Sequence, residues 1–352
     1  MEIKENILLA PYTTFKIGGP AKFFCVTENE QDLRQAMEFA KKEKLQTLFM
    51  GGGSNMLVSD KGFDGLVIKV DLKGIETMQH GGNEVLLKAA AGENWDNFVK
   101  MTVENAWWGL ENLSHIPGNT AAVAVQNVGA YGQEAKNVIE AVEVYDTQDG
   151  KIKVLKNKDC EFGYRSSIFN SREKGRYIIL FITFRLLKNP QPILSYRDLK
   201  NKFDSVEPTQ QEIRQAVIQI RNKKFPFPTE AKNGNAGSFF KNVILNSREY
   251  SQLLIKMELS LGKPASTALE QRKFLQTDGS IKIPTAFLLD VCGLKDLENG
   301  GAAINHSQPL VIINKTGNAT AQDVLNLANK VRQTVLDKTG IQLELEPDLV
   351  GF

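Results

Sequence analysis

Leu33, Ala36, Met37 and Ala40 stand three and four positions apart among polar neighbours, which predicts an amphipathic helix over residues 31–44. Strands are expected on either side of it, at Ala21 to Val26 and at Leu66 to Val70. Between them, Leu48-Phe49-Met50 and Met56-Leu57-Val58 flank Gly51-Gly52-Gly53-Ser54-Asn55, which reads as strand, tight turn, strand. Farther on, Glu84 to Gly92 reads as a strand and Trp95 to Glu104 as a helix. Val142 and Val144 alternate with Glu143, and Asp149-Gly150 turns the chain into Lys151 to Leu155, the signature of a hairpin. Tyr177 to Leu187 is a strongly apolar strand. Thr209-Gln210-Gln211-Glu212 is a capping box, opening a helix with Ile213, Ala216, Val217 and Ile220 on one face. Phe225-Pro226-Phe227-Pro228 interrupts regular structure and marks a domain boundary. A later helix after Thr320 carries Val324, Leu327, Val331 and Val335 and stops at Gly340. Ile341, Leu343 and Leu345 alternate with Gln342 and Glu344, which predicts a final strand.

Composition narrows the class. The chain has 352 residues, enough for two or three domains, and is 42% hydrophobic and 24% charged, as soluble globular proteins are. A net charge of +2 gives no reason to expect nucleic acid or an acidic membrane surface. No apolar run is long enough to span a bilayer, and the acidic start Met1-Glu2-Ile3-Lys4-Glu5-Asn6 is not a secretory signal. Cys25, Cys160 and Cys292 are too widely spaced for a disulfide framework or a zinc site, and suit a reducing, cytoplasmic compartment. His80, His115 and His306 are scattered, so no metal is expected.

Candidate chemistry starts at Gly51-Gly52-Gly53. Three residues without a Cβ allow a turn of backbone N–H groups to close around an anion, and Ser54 and Asn55 add side-chain donors. A diphosphate suits such a turn; a glycine-rich hairpin is the plainer alternative. The spacing is neither the dinucleotide G-x-G-x-x-G nor the P-loop pattern. A second run, Ile116 to Gly132, is built of small residues that let a planar ligand approach the backbone, or that pack a turn tightly against the core. Arg165, within Gly163 to Phe169, could pair with a substrate carboxylate or satisfy a core ion pair. Ser238 could pass a proton to carbon or simply serve a turn. Leu345-Glu346-Pro347-Asp348 brings two carboxylates, which could equally be solvated. No Ser-His-Asp order or nucleophile elbow is visible.

Eight blocks in collinear order resemble the UDP-N-acetylenolpyruvoylglucosamine reductase (MurB) family over nearly the whole chain. They are Thr14 to Gly19, Gly51 to Asn55, Ile116 to Gly118, Gln126 to Gly132, Tyr164 to Phe169, Gly234 to Asn242, Gly300 to Ala303 and Leu345 to Asp348. Gln191 to Tyr196 resembles the tyrosine-carrying loop of the longer subtype. The resemblance implies an α+β fold: a two-part FAD-binding module of the vanillyl-alcohol-oxidase-like type plus a smaller α+β substrate-binding domain. Residues 1–71 and 72–227 would form the module, completed by 340–352, and residues 228–339 would bind substrate. Gly51, Gly52, Gly53, Ser54 and Asn55 would hold the FAD diphosphate. Pro117, Gly118, Gln126, Asn127, Gly129, Ala130 and Tyr131 would line the rest of the cofactor, held without a covalent histidine link. Arg165 and Asp348 would polarise the enolpyruvyl carboxylate, and Ser238 would donate a proton. Tyr196, Lys224, Lys241 and Asn242 would hold the UDP-sugar. NADPH is the implied hydride donor, and a monomer is expected. The family usually carries glutamate where this chain has Asp348; the backbone moves in, Glu346 serves instead, or activity falls. Two other functions compete. One is a flavin-dependent oxidase of the same fold acting on a small alcohol or sugar, which needs no Ser238. The other is a catalytically inactive nucleotide-binding protein, encouraged only by Asp348.

Overall fold

A computed structural model describes residues 1–78, 81–204, 207–224 and 230–352. The expected boundary at Phe225-Pro226-Phe227-Pro228 lies outside these residues. The chain divides into two compact units, one of Met1–Ile7, Pro20–Gly53 and Phe63–Lys223, the other of Leu8–Gly19, Ser54–Gly62 and Lys224–Phe352.

The first unit contains two main sheets. In one, Lys4–Leu8, Pro20–Thr27, Phe63–Val70 and Thr47–Met50 lie in that order, and Phe63–Val70 runs parallel to both Pro20–Thr27 and Thr47–Met50. The expected helix spans Glu30–Lys42; the Asn29 side chain caps it by accepting from the Asp32 amide at 2.9 Å, and Leu33, Ala36 and Ala40 are its buried face. The second sheet is antiparallel, ordered Lys151–Lys156, Ile139–Asp146, Tyr177–Leu187, Glu84–Ala90, Ile75–Met78. Tyr177–Leu187 is its central strand, with Ile178, Leu180, Ile182, Phe184 and Leu186 buried on one face and the other face partly covered. One cluster of buried side chains runs from Cys25 and Leu33 through Leu87 and Trp95 to Phe184 and Leu186. The parts expected as 1–71 and 72–227 therefore share a core. Trp95, Phe98 and Phe184 form its aromatic centre, with ring centroids 5.1 to 5.9 Å apart.

Asp146 is fully buried at a strand end, where Arg176 Nη2 donates to it at 2.8 Å and Lys153 Nζ at 2.6 Å. The Arg176 guanidinium, helped by Lys153, outweighs burial and holds the carboxyl far below the usual range. A depressed carboxyl contributes stability that is complete above the unfolded value of about 4 and is lost as pH falls below it. Asp146→Asn is therefore expected to lower Tm clearly at pH 7, with a gap to wild type that narrows at pH 3. Thermal melts at both pH values check this; an equal gap at both would remove the ion pair as its cause.

In the second unit, Gly234–Ser238, Val311–Asn314, Ala302–Ile304 and Glu298–Asn299 form one sheet, and Val243–Leu245, Ile281–Ile283 and Phe274–Leu275 another. The helix Ala321–Thr339 packs Val324, Leu327, Val331 and Val335 into the core, with Thr320 and Gly340 as its caps. Asp60, 261 residues earlier in the chain, accepts from the Ala321 amide at 2.8 Å and from the Gln322 amide at 3.2 Å. That adds a carboxylate to the positive end of the helix.

Two expectations change. Met56–Val58 does not return beside Thr47–Met50 as a hairpin; it pairs in parallel with Asp348–Val350. The stretch 341–345 is not a strand, because its one bridge is Leu345 to Phe240. Its alternation still reports burial, since Leu343 is fully buried. Residues 340–352 belong to the second unit. Among the described residues no helix is long and apolar enough to cross a membrane.

Candidate active site

The strand Thr47–Met50 delivers the chain to Gly51, and there two of the sequence's glycine-rich segments meet within the first unit. A Cβ on Gly51 would be driven into the Asn119 side-chain amide, and one on Gly52 would lie 2.8 Å from Gly118 Cα. Asn119 caps the helix Thr120–Val125 by accepting from the Ala122 amide at 3.3 Å. Only glycine permits the backbone-on-backbone approach of Gly52 to Gly118, and a turn of backbone N–H groups beside it could cradle a diphosphate. Ser54 and Asn55 continue the run in the second unit.

The small-residue segment is thus a short helix between two turns rather than one continuous turn. Pro117 and Gly118 precede the helix, and Gln126 ends it. Asn127 is almost wholly buried and its side chain is used within the protein: it donates to Glu134 Oε2 at 3.0 Å and Gly163 O at 2.9 Å and accepts from the Lys136 amide at 2.9 Å. Any contribution of Asn127 to a ligand must come from its backbone. Gly129 and Ala130 form a two-residue strand, and Arg165 Nη2 donates to Gly129 O at 3.1 Å. That bond brings the predicted carboxylate-binding guanidinium to the predicted cofactor segment. The Tyr131 and Tyr196 rings meet edge to face at 5.2 Å. Asn112 holds their two segments together by donating to Tyr131 O at 2.7 Å and Ile193 O at 2.8 Å. Nothing in the sequence around Asn112 signalled this role.

The second unit gathers three further motifs. A bulge interrupts pairing between Asn235 and Ser238, and Gly237 sits there at φ +72° with open space where a Cβ would be. The bulge re-aims Ser238, which is half-buried, and no described residue takes up its hydroxyl. Phe239 and Phe240 follow and are fully buried, which anchors the serine's backbone. Their neighbour is the C-terminal motif: the Glu346 amide donates to Phe239 O at 3.0 Å, and Phe240 bridges to Leu345. Asn55 then joins, its O accepting from the Asp348 amide at 3.0 Å and its Nδ2 donating to Glu346 O at 3.2 Å. Thr14 Oγ1 donates to Asn235 O at 2.7 Å, tying the Thr14–Gly19 block to the serine strand. Of the expected substrate ligands, Lys241 pairs with Glu344 at 3.2 Å, and Asn242 Oδ1 accepts from the Thr285 amide at 3.0 Å at the start of the helix Thr285–Val291. Lys224 ends the helix Gln210–Lys224. Burial pushes the Cys25 and Cys160 thiols up to about 12, so neither serves as a nucleophile at neutral pH.

Residues 21–156 match the model of the FAD binding domain, and residues 228–350 match that of the UDP-N-acetylenolpyruvoylglucosamine reductase C-terminal domain. The chain is 37% identical over 351 residues to the UDP-N-acetylenolpyruvoylglucosamine reductase of Chromobacterium violaceum, covering 99% of this chain and 98% of the relative. This chain belongs to the UDP-N-acetylenolpyruvoylglucosamine reductase family. The reductase of Neisseria gonorrhoeae is 38% identical over 98% of this chain and 97% of its own. The crystal structure of the reductase from Thermus caldophilus shares the fold, with a TM-score of 0.68 at 24% identity over 99% of each chain. Membership in the reductase family makes the chain an oxidoreductase with an FAD domain.

Proposed function

We propose that this chain is an NADPH- and FAD-dependent UDP-N-acetylmuramate dehydrogenase. It reduces UDP-N-acetylglucosamine enolpyruvate to UDP-N-acetylmuramate for peptidoglycan precursor synthesis, acting in the cytoplasm as a monomer. Ser238 supports this most directly: its hydroxyl has no partner among the described residues, and the segment that follows it runs beside the one that carries Asp348. FAD, held non-covalently along Gly51 to Asn55 and Pro117 to Tyr131, supplies the hydride relay from NADPH to the enolpyruvyl methylene. Arg165 pairs with the enolpyruvyl carboxylate and steadies the negative charge that builds on it. Asp348 orients the same group. Ser238 gives its proton to the neighbouring carbon, and solvent restores that proton. Tyr196, Lys224, Lys241 and Asn242 hold the UDP-sugar, with Lys224 as a point charge for phosphate. Tyr196 also supports membership in the subtype with the tyrosine-carrying loop.

The test is direct. Purified protein should be yellow, bleach with NADPH under anaerobic conditions, and recolour when UDP-N-acetylglucosamine enolpyruvate is added. Bleaching followed by recolouring with oxygen alone would favour an oxidase, and colourless protein would favour a plain binding module.

A further inference from the structure

His115 stands immediately before Ile116-Pro117-Gly118, and its backbone is left-handed at φ +59°, a conformation that side chains other than glycine adopt rarely. Three groups hold it there. Its amide donates to Asp96 Oδ1, its carbonyl accepts from Arg221 Nε at 2.7 Å, and its Nε2 lies 2.9 Å from Asn222 Oδ1. Asp96 is gripped in turn by both arms of Arg214, with Nη1 to Oδ1 at 2.7 Å and Nη2 to Oδ2 at 2.9 Å. Burial raises the Asp96 carboxyl, but Arg214 and the His115 amide outweigh it and keep the group ionised.

Arg214, Arg221 and Asn222 all lie on the helix Gln210–Lys224. Arg214 is only 5% exposed, beside Ile213, Ala216 and Val217, which pack in one cluster with Trp108 and Tyr131. A forked ion pair with one buried partner gives little net stability over an apolar pair of the same volume, but it fixes geometry. Here the geometry fixed is that of the left-handed bend. Three residues later the same backbone reaches Gly118, whose Cα would lie 2.8 Å from a Cβ on Gly52 and whose carbonyl accepts from the Trp95 amide at 3.1 Å, next to Asp96. A relaxed bend at His115 would therefore shift one wall of the cradle.

We propose that Asp96 and Arg214 are positioning residues for the cofactor: through His115 they hold the Gly118–Asn119 wall at the spacing that FAD requires. This rests on the FAD reading above. The experiment is titration of apoprotein with FAD, followed by flavin fluorescence, beside thermal melts of the apoproteins. Arg214→Gln and Asp96→Asn are each expected to weaken FAD binding by at least ~10-fold. The double variant should be no weaker than either single one, because both remove the same link. Arg214→Lys, which keeps the charge and loses the fork, should fall between wild type and Arg214→Gln, and it carries the test if the latter does not fold. Val217→Ala is the control: it trims the same helix face and lowers Tm, yet should leave the FAD dissociation constant within ~2-fold of wild type. If the Arg214 variants lower Tm as Val217→Ala does and bind FAD as wild type does, the pair is merely structural and the inference falls alone. If wild type binds no FAD, the inference falls together with the functional reading.

Discussion

Ser238→Ala is expected to leave the NADPH half-reaction at the wild-type rate and to slow the enolpyruvyl half-reaction by at least ~100-fold, the low end for losing a positioned general acid. The asymmetry follows from what each half needs. Hydride delivery from NADPH requires no proton from the protein, whereas reduction of the enolpyruvyl group leaves a carbon that must be protonated. Alanine keeps the bulge, the Gly237 turn and the buried Phe239 and Phe240 that hold this strand, so the fold should survive. Ser238→Cys retains an acidic proton and should keep more activity than alanine. Stopped-flow absorbance of the two halves, measured separately, discriminates the cases. Equal slowing in both would return Ser238 to the role of a turn residue.

Gly52→Val should yield folded protein that is nearly colourless after purification. The added Cβ would stand 2.8 Å from Gly118 Cα, and backbone cannot swing aside as a flexible side chain can. Overpacking of this kind costs ~1–3 kcal/mol, and at the upper end that corresponds to a loss of about 100-fold in FAD affinity. Gly52 is exposed and lies outside the hydrophobic cores, so the apoprotein relieves the clash by shifting this turn as a whole with little change in Tm, and the cost falls on FAD binding, which requires the turn in its original place. The flavin-to-protein absorbance ratio, read beside a thermal melt, checks both halves of the expectation. A variant that loses stability but retains FAD would make the glycine run a structural turn.

The sequence by itself determined whatever depends on neighbours a few residues away. The helices Glu30–Lys42, Trp95–Glu104, Gln210–Lys224 and Ala321–Thr339 were legible because apolar spacing, capping residues and stop residues act within one or two turns. The apolar strand Tyr177–Leu187 was legible because Ile178, Leu180, Ile182, Phe184 and Leu186 fill one buried face while Tyr177, Phe181 and Leu187 on the other are partly covered. The motif blocks were legible as marks of the family, since each is a run of a few consecutive residues. Only the tertiary structure decided which distant segments meet. Alternation at Ile341, Leu343 and Leu345 looks the same in a strand and in an extended segment with one bridge; the difference is whether a neighbour offers a ladder, and Phe240 offers a single rung. Met56–Val58 has no local sign that its partner is Asp348–Val350 rather than the strand just before it. The division into units follows for the same reason: 8–19 and 54–62 join the second unit by long-range packing that no window of sequence contains. Asp60 at the end of a distant helix, and Asp96 held by Arg214 behind His115, are ordinary carboxylates in the sequence. Each owes its role to a partner that only folding places beside it, because hydrogen bonds and ion pairs act over a few ångströms of space whatever the separation along the chain.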